Sequence, residues 1–258
     1  MRLLVYPDTQ SAGRAAARTV AELLHSGRDV NLGFATGHTM IPVYGELVRL
    51  HEEAGLSFKR ARTFNLDEYV GLGPGEPDSY YEYMMHRLVD QVDLPPERFF
   101  IPDGKAADPH AECERYERLI QEAGGIDLQL LGLGRNGHIG FNEPGSEPDS
   151  RTRVVELAEE TRRVNEADFR KAKEPPRRAI TMGLATIMEA RRILMVVTGW
   201  EKAPVLKTVL TSPPAKEVPA TFLHGHPDVT LIADREALEE YFQQIVASGY
   251  EMKVDPPE

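Results

Sequence analysis

The densest chemistry in this 258-residue chain lies between Gly132 and Gly145. The run Gly132-Leu133-Gly134-Arg135-Asn136-Gly137-His138-Ile139-Gly140-Phe141-Asn142-Glu143-Pro144-Gly145 places an imidazole shortly before a carboxylate in a setting rich in glycine. Histidine takes up or releases a proton near neutral pH, and a nearby carboxylate fixes its tautomer or shares the transfer. The spacing G-x-G-x-x-G at Gly132, Gly134 and Gly137 also fits a dinucleotide loop, but that fingerprint needs a helix to begin directly after it. Ile139 to Gly145 instead bring two more glycines and a proline. The run therefore reads as a loop that presents His138 and Glu143. The plainer alternative is a capping histidine with a turn glutamate, and the density of glycine weighs against it.

Three other stretches carry reactive or anion-binding types. Phe64-Asn65-Leu66-Asp67-Glu68-Tyr69 ends an apolar run with two carboxylates. Side chains alternate along a strand, so one of the pair enters a site and the other turns away. Read alone, the pair is a solvated strand end. Ala35-Thr36-Gly37-His38-Thr39-Met40 lies between an apolar run and an amphipathic one. Gly37 permits close backbone approach, Thr36 and Thr39 offer hydroxyls, and a helix start offers free N–H groups to an anion. An ordinary glycine turn with threonine caps is the competing reading. Thr198-Gly199-Trp200-Glu201-Lys202 puts Lys202 in a first helical turn, where a cation is disfavoured unless it answers a bound phosphate. A surface lysine explains it equally well. His224-Gly225-His226 has no companion that completes a zinc spacing, so it is read as a loop that either lines the site or lies apart from it. No metal is expected.

These stretches need elements to hold them. Short apolar runs at Leu3–Tyr6, Val30–Ala35, Thr63–Leu66, Ile126–Leu131, Ile193–Thr198 and Val229–Ala233 read as strands. Amphipathic stretches at Thr9–His25, Ile41–Glu53, Ser79–Val92, Pro109–Ala123, Leu184–Ala190, Glu201–Leu210 and Arg235–Ala247 read as helices, with Asp78 or Ser79 as the cap of the third. The alternation predicts an α/β fold: an open, mostly parallel, doubly wound sheet with helices on both faces. Ligands in such sheets bind beyond the carboxyl ends of the strands, and the four reactive stretches all follow predicted strands. The chain is read as one domain over residues 1–258. Pro-rich patches at Glu174–Pro176 and Ser212–Pro214 read as surface loops. The charged segment 146–174, poor in strand signals, reads as a lid that excludes water from the site. The acidic tail Asp255–Glu258 is expected to fray.

Composition narrows the partners. Hydrophobic residues make up 41% of the chain, enough for a normal core. A net charge of -11 repels nucleic acid and anionic membranes, so neither is expected as a partner. The lone cysteine, Cys113, sits among acidic neighbours and reads as structural rather than nucleophilic. With no span-length apolar run and no signal peptide, a cytoplasmic protein is expected. The sequence leaves a homo-oligomer open.

Taken together, the motifs resemble the glucosamine-6-phosphate deaminases over nearly the whole chain. The resemblance is carried by Gly33-Phe34-Ala35-Thr36-Gly37, by Thr63-Phe64-Asn65-Leu66-Asp67-Glu68-Tyr69-Val70-Gly71-Leu72, by Asn136 to Gly145, by Ser150-Arg151-Thr152-Arg153, and by the Lys202 turn. It implies a cofactor-free isomerisation and deamination of an amino-sugar phosphate. His138 would open the sugar ring, with Asn136 and Glu143 orienting it. Asp67 would move the proton between C2 and C1. Thr36, Gly37, His38, Thr39 and Lys202 would hold the phosphate. The related 6-phosphogluconolactonases share the fold and a glycine-histidine loop, so a sugar-phosphate lactonase is the nearest rival. A deaminase for another amino-sugar phosphate and a non-catalytic sugar-phosphate sensor are the others.

Three places differ from the family pattern. The phosphate loop of the family usually has a small residue where His38 stands and a proline where Met40 stands. An arginine usually precedes the phenylalanine equivalent to Phe169, where this chain has Asp168, so Arg162, Arg163 or Arg170 is the substitute expected. Members activated by the N-acetylated sugar phosphate carry Lys and Thr where this chain has Val155 and Glu156, so no such activation is expected. The first two differences fall on substrate binding and leave the proton-transfer groups intact.

Overall fold

The computed structural model describes residues 1–166, 169 and 176–247. In chain order the strands and helices are β1 (Arg2–Tyr6), α1 (Thr9–Leu24), β2 (Val30–Phe34), α2 (Ile41–Ala54), β3 (Ala61–Asn65), β4 (Asp67–Tyr69), α3 (Tyr80–Arg87), β5 (Phe99–Phe100) and α4 (Pro109–Glu122). They continue with β6 (Leu128–Leu131), β7 (Arg153–Glu156), α5 (Glu159–Glu166), β8 (Arg178–Thr181), α6 (Leu184–Met188), β9 (Ile193–Val197), α7 (Ala203–Thr211), β10 (Val229–Asp234) and α8 (Glu239–Ala247).

All six predicted strands join one seven-stranded sheet in the order β1-β10-β9-β6-β2-β3-β5, and every pair in it is parallel. Strands β2, β9 and β10 are buried at every residue, which requires cover on both faces and explains their unbroken apolar character. From β2 the chain winds outward to β3 and β5, then returns to lay β6 on the other side of β2. Winding therefore reverses between β2 and β6, and a crevice opens there at their carboxyl ends. Both strands lead directly into stretches singled out above.

Local chemistry sets the helix starts. Asp8 accepts from Ser11 N at 2.7 Å and completes a capping box for α1. Ser79, not Asp78, caps α3 by accepting from Glu82 N at 3.1 Å. Several predicted helices are shorter than expected, two of them markedly. The one predicted from Ser79 to Val92 ends at Arg87, because Leu88 leaves the helical region at φ -146° and a 3-10 turn, Val89–Gln91, follows. The last predicted helix begins as a 3-10 turn over Glu236–Leu238.

The sequence reading missed four strands. Two-residue β5 carries too little pattern to be legible. Strands β4, β8 and β7 form a separate antiparallel sheet in that order. The run ending in Asp67-Glu68 is consequently not one strand. Strand β3 stops at Asn65, Leu66 bonds Phe34 O through its N–H and Met182 N through its carbonyl, and Asp67 opens the second sheet. The segment read as poor in strands holds β7. Only part of that proposed lid falls among the described residues. Asp168, Arg170, most of the Glu174–Pro176 patch and the tail Asp255–Glu258 lie outside them. Ser212–Pro214 is a loop after α7, as expected.

A large apolar core fills both faces of the main sheet. A smaller cluster of Tyr69, Phe141, Leu157 and Ala179, joined by Tyr80 and Phe169, seals the second sheet against the crevice. Among the described residues no helix is long and apolar enough to cross a membrane.

Candidate active site

Neighbouring strands β9, β6 and β2 deliver three loops to one edge of the sheet: Gly199–Lys202, Gly132–Gly145 and Thr36–Met40. Strand β4 brings Asp67 to the same edge. The four predicted stretches thus converge.

The middle loop is shaped around His138. A side chain at Gly134 would begin 2.3 Å from the imidazole ring, so only glycine leaves room for it. The His138 Nδ1 atom lies 2.7 Å from Asn136 Oδ1 and 3.5 Å from Glu143 Oε2. The first is a hydrogen bond, the second an ion-pair distance. Because an amide oxygen only accepts, Asn136 assigns the proton to Nδ1 and leaves Nε2 as an acceptor in the neutral ring. Asn136 closes the triangle by donating from Nδ2 to Glu143 Oε2 at 2.7 Å. Thr161 in α5 donates to the other oxygen, Oε1. Burial works to raise the Glu143 carboxyl, but His138, Thr161 and Asn136 outweigh it and hold the group below its ordinary value. Glu143 is therefore an ionised orienting group.

Asp67 faces the same loop. Gly140, at φ +56°, passes so close that a side chain there would begin 3.4 Å from Asp67 Oδ2 and 3.0 Å from Thr181 Oγ1. The Asp67 carboxyl is 5% exposed. Burial, and then the charge of Glu68, raise it to about 8. Its neighbour Glu68 turns to the opposite side of β4, as alternation requires, and accepts from the N–H groups of Tyr69, Tyr80 and Tyr81.

The loop after β2 has its carbonyls drawn inward. Tyr44 donates to Ala35 O at 2.5 Å and Tyr83 to Gly37 O at 2.8 Å. Gly37 takes φ +98°, and the chain then enters a 3-10 turn, His38–Met40, that runs into α2. Thr36, Gly37 and Thr39 are half-buried, whereas His38 is exposed. Lys202 ends a matching 3-10 turn, Trp200–Lys202, at the start of α7. Burial and the nearby charge of Arg135 lower the Lys202 ammonium, with Glu201 opposing them. Arg135 itself is paired with Glu201 at 2.5 Å.

Tyr80 was not singled out from the sequence, and Tyr69 and Arg153 entered only within the strings that carry the resemblance. The Tyr80 hydroxyl sits 3.1 Å from that of Tyr69, and reaches the Thr36 side chain. Its ring stacks on Phe141. Burial, with Tyr69 and Asp67 nearby, keeps the Tyr80 proton in place far above neutral pH. Arg153 donates to Asn142 Oδ1 at 2.8 Å and so braces the loop from behind. The available signal for Tyr80 was its spacing from Tyr83, three residues apart on one face of a capped helix.

His224 and His226 lie apart from the site. Each bonds a backbone carbonyl, Val209 O at 2.6 Å and Ala190 O at 2.7 Å, and Asp228 N donates to His226 Nδ1. Ala190 and Asp228 precede β9 and β10, at the end of the sheet opposite the crevice, so neither histidine lines the site. Cys113 is buried, donates to Pro109 O at 3.0 Å and is pushed up to about 11 by burial and Glu112. It is structural. Among the described residues no cluster of His, Cys, Asp and Glu is arranged to hold a metal.

Comparisons with known proteins identify the family. A family described as glucosamine-6-phosphate isomerases/6-phosphogluconolactonase matches residues 8–232. Glucosamine-6-phosphate deaminase of a Geobacillus species is 47% identical over 92% of this chain and 95% of its own. Glucosamine-6-phosphate deaminase 1 of Bacillus subtilis is 44% identical over 92% and 98%. A solved monomeric glucosamine-6-phosphate deaminase superimposes with a TM-score of 0.91 at 44% identity, over 93% of this chain and all of that one. A 6-phosphogluconolactonase from Trypanosoma brucei superimposes at 0.70 with 26% identity, over 92% and 97%. On these grounds the chain belongs to the glucosamine-6-phosphate isomerase/6-phosphogluconolactonase family.

Proposed function

We propose that this protein is a glucosamine-6-phosphate deaminase, converting glucosamine 6-phosphate and water to fructose 6-phosphate and ammonia. The observation that carries the reading is the meeting of Asp67 and the His138 loop across Gly140. A buried carboxyl with a raised proton affinity lies beside the loop that carries an imidazole of fixed tautomer, and aldose–ketose chemistry needs two such groups at one site. Deaminase relatives covering nearly the full chain support it.

The sugar enters as a closed ring. His138 Nε2, free to accept, takes the proton of the C1 hydroxyl and delivers it to the ring oxygen as the C1–O bond opens. Asn136 and Glu143 hold the imidazole and stabilise its charged form. Asp67 removes the C2 proton to give an enolamine and returns a proton to C1. The resulting C2 iminium is attacked by water, and the C2–N bond breaks to release ammonia. Thr36, Gly37, His38, Thr39 and Lys202 grip the phosphate. Binding remote from the reacting carbons aligns C1 and C2 with the two proton carriers. In a chain of net charge -11, local donors rather than the overall field must attract this anion.

Helix α5 is the part of the proposed lid most directly tied to the chemistry, because Thr161 bonds Glu143. Ordering of α5 over the bound sugar would exclude water during enolamine formation.

Ammonia release from glucosamine 6-phosphate, with Asp67→Asn as control, tests the proposal. Release that requires Asp67 supports it. Hydrolysis of a sugar-phosphate lactone that survives Asp67→Asn, without ammonia release, would assign the chain to the lactonase branch instead.

A further inference from the structure

We propose that Glu68 is a positioning residue that, through helix α3, fixes the separation between the Asp67 carboxyl and the anion loop at Thr36–Thr39. The proposal rests on the deaminase reading of the site and adds to it a residue that touches neither substrate nor reacting atoms.

Glu68 is a carboxylate with 0% exposure, and it accepts from three backbone N–H groups. Oε1 accepts from Tyr69 N at 2.8 Å and Tyr80 N at 3.0 Å, and Oε2 accepts from Tyr81 N at 2.8 Å. Two of the three donors belong to the first turn of α3. A negative acceptor at a helix start is favoured by both the free N–H groups and the dipole, and hydrogen bonds to a charged acceptor are about twice as strong as neutral ones. Glu68 therefore fastens β4, the strand that carries Asp67, to the start of α3.

The same helix is fastened to the anion loop. Tyr83 donates to Gly37 O at 2.8 Å, and Tyr80 reaches Thr36. The Tyr83 ring meets that of Tyr44, which holds Ala35 O. One rigid eight-residue helix is thus bonded at its start to the base strand and along one face to the loop. A sugar held by its phosphate presents C2 to Asp67 only if that span is right, and a misplacement of about 1 Å can cost on the order of a hundredfold in rate.

A carboxylate is required at position 68 because both oxygens accept. Glutamine must turn its NH2 group toward at least one backbone N–H, donor against donor.

The test measures Glu68→Gln, Tyr83→Phe and the double variant. Affinity for inorganic phosphate is read by calorimetry and by emission of Trp200, the one tryptophan of the chain, which is 67% exposed in the turn that holds Lys202. Turnover of glucosamine 6-phosphate gives kcat and KM separately. In folded protein, Glu68→Gln is expected to weaken phosphate binding roughly tenfold and to lower kcat by about tenfold to a hundredfold. The double variant is expected to bind phosphate little worse than Glu68→Gln alone, because the two changes break one linkage. Glu68→Asp, which keeps the charge on a shorter arm, serves if Glu68→Gln does not fold, and is expected to show the same losses in smaller measure. Unchanged phosphate affinity in the Glu68 variant, effects that simply multiply, or wild-type protein that binds no phosphate would each overturn the proposal. Failure of wild-type protein to release ammonia would instead remove the deaminase reading, while the phosphate measurements still decide whether Glu68 acts on the loop.

Discussion

Asp67 and Glu68 are sequence neighbours on β4 that face opposite environments: one meets the His138 loop beside Gly140, the other receives three backbone N–H groups at the start of α3. Burial raises both, Asp67 to about 8 and Glu68 to about 7. Alternation along a strand has sent the two carboxyls of one acidic dipeptide to different surroundings, one beside the His138 loop and the other against the start of α3.

Asp67→Asn should abolish ammonia release and at the same time stabilise the fold. A carboxyl whose folded value is raised binds its proton more tightly in the folded state. Its contribution to stability is full below about pH 4 and is lost as pH rises toward about 8. At neutral pH the asparagine variant carries no such burden. Thermal denaturation at pH 7 should show a melting temperature at least about 2 °C higher than wild type. A lower one would mean that the Asp67 charge is compensated by contacts other than those seen.

The pH dependence of kcat/KM should have an acidic limb near 8, since a general base works only when ionised. The titratable groups whose charges act on Asp67 are Glu68 on its own strand, Tyr80 from α3 and Tyr116 from α4. Both tyrosines remain protonated well above this range, so Glu68 is the neighbour whose charge matters. Glu68→Gln should therefore move the limb to lower pH. A limb in the ordinary carboxylate range in wild type would sink this assignment.

Glu143→Gln should lower kcat by about a hundredfold or more with a small change in KM, because the imidazolium formed during ring opening loses its counter-charge. Asn136→Ala should behave similarly, by freeing the Nδ1 tautomer. Steady-state kinetics at saturating substrate distinguish this from lost binding, which would appear in KM alone.

Lys202→Ala should raise KM for the sugar phosphate by about tenfold to a hundredfold while leaving the acidic limb in place. Because burial and Arg135 lower the wild-type ammonium, KM should also climb on the alkaline side earlier than for an ordinary lysine. A KM that is flat across that range would argue against contact between Lys202 and phosphate.

The N-acetylated sugar phosphate should not activate the enzyme. The groove of about 410 Å³ after the His138 loop is lined by Val155 and by the carboxylates Glu143, Glu147 and Glu156, with Arg153 bonded to Asn142 and Ser146. Such a lining disfavours an anion. Initial rates with and without the acetylated compound at sub-saturating substrate check this, and a clear rise would refute it.

Much of the protein was legible in its sequence. Unbroken apolar runs such as Val30–Phe34 and Ile193–Val197 identify buried parallel strands, because both faces must be apolar when both are covered. The glycines around His138 mark a loop rather than a helix, and Gly134 and Gly140 prove to be places where an imidazole and a carboxyl press against the backbone. What the sequence could not determine is which distant groups meet. Strands β4, β7 and β8 are three or four residues long and acquire their identity only by pairing with one another, so no local pattern announces them. His224 and His226 resemble site residues in composition, yet the chain direction through β9 and β10 places them at the wrong end. Tyr80 and Tyr83 look like an ordinary helix face until α3 is set between Glu68 and Gly37. Local propensity and period are properties of neighbouring residues and can be read in order. The raised proton affinity of Asp67 and the clasp at Glu68 arise from burial and from donors brought in by other elements, and only the tertiary structure decides those.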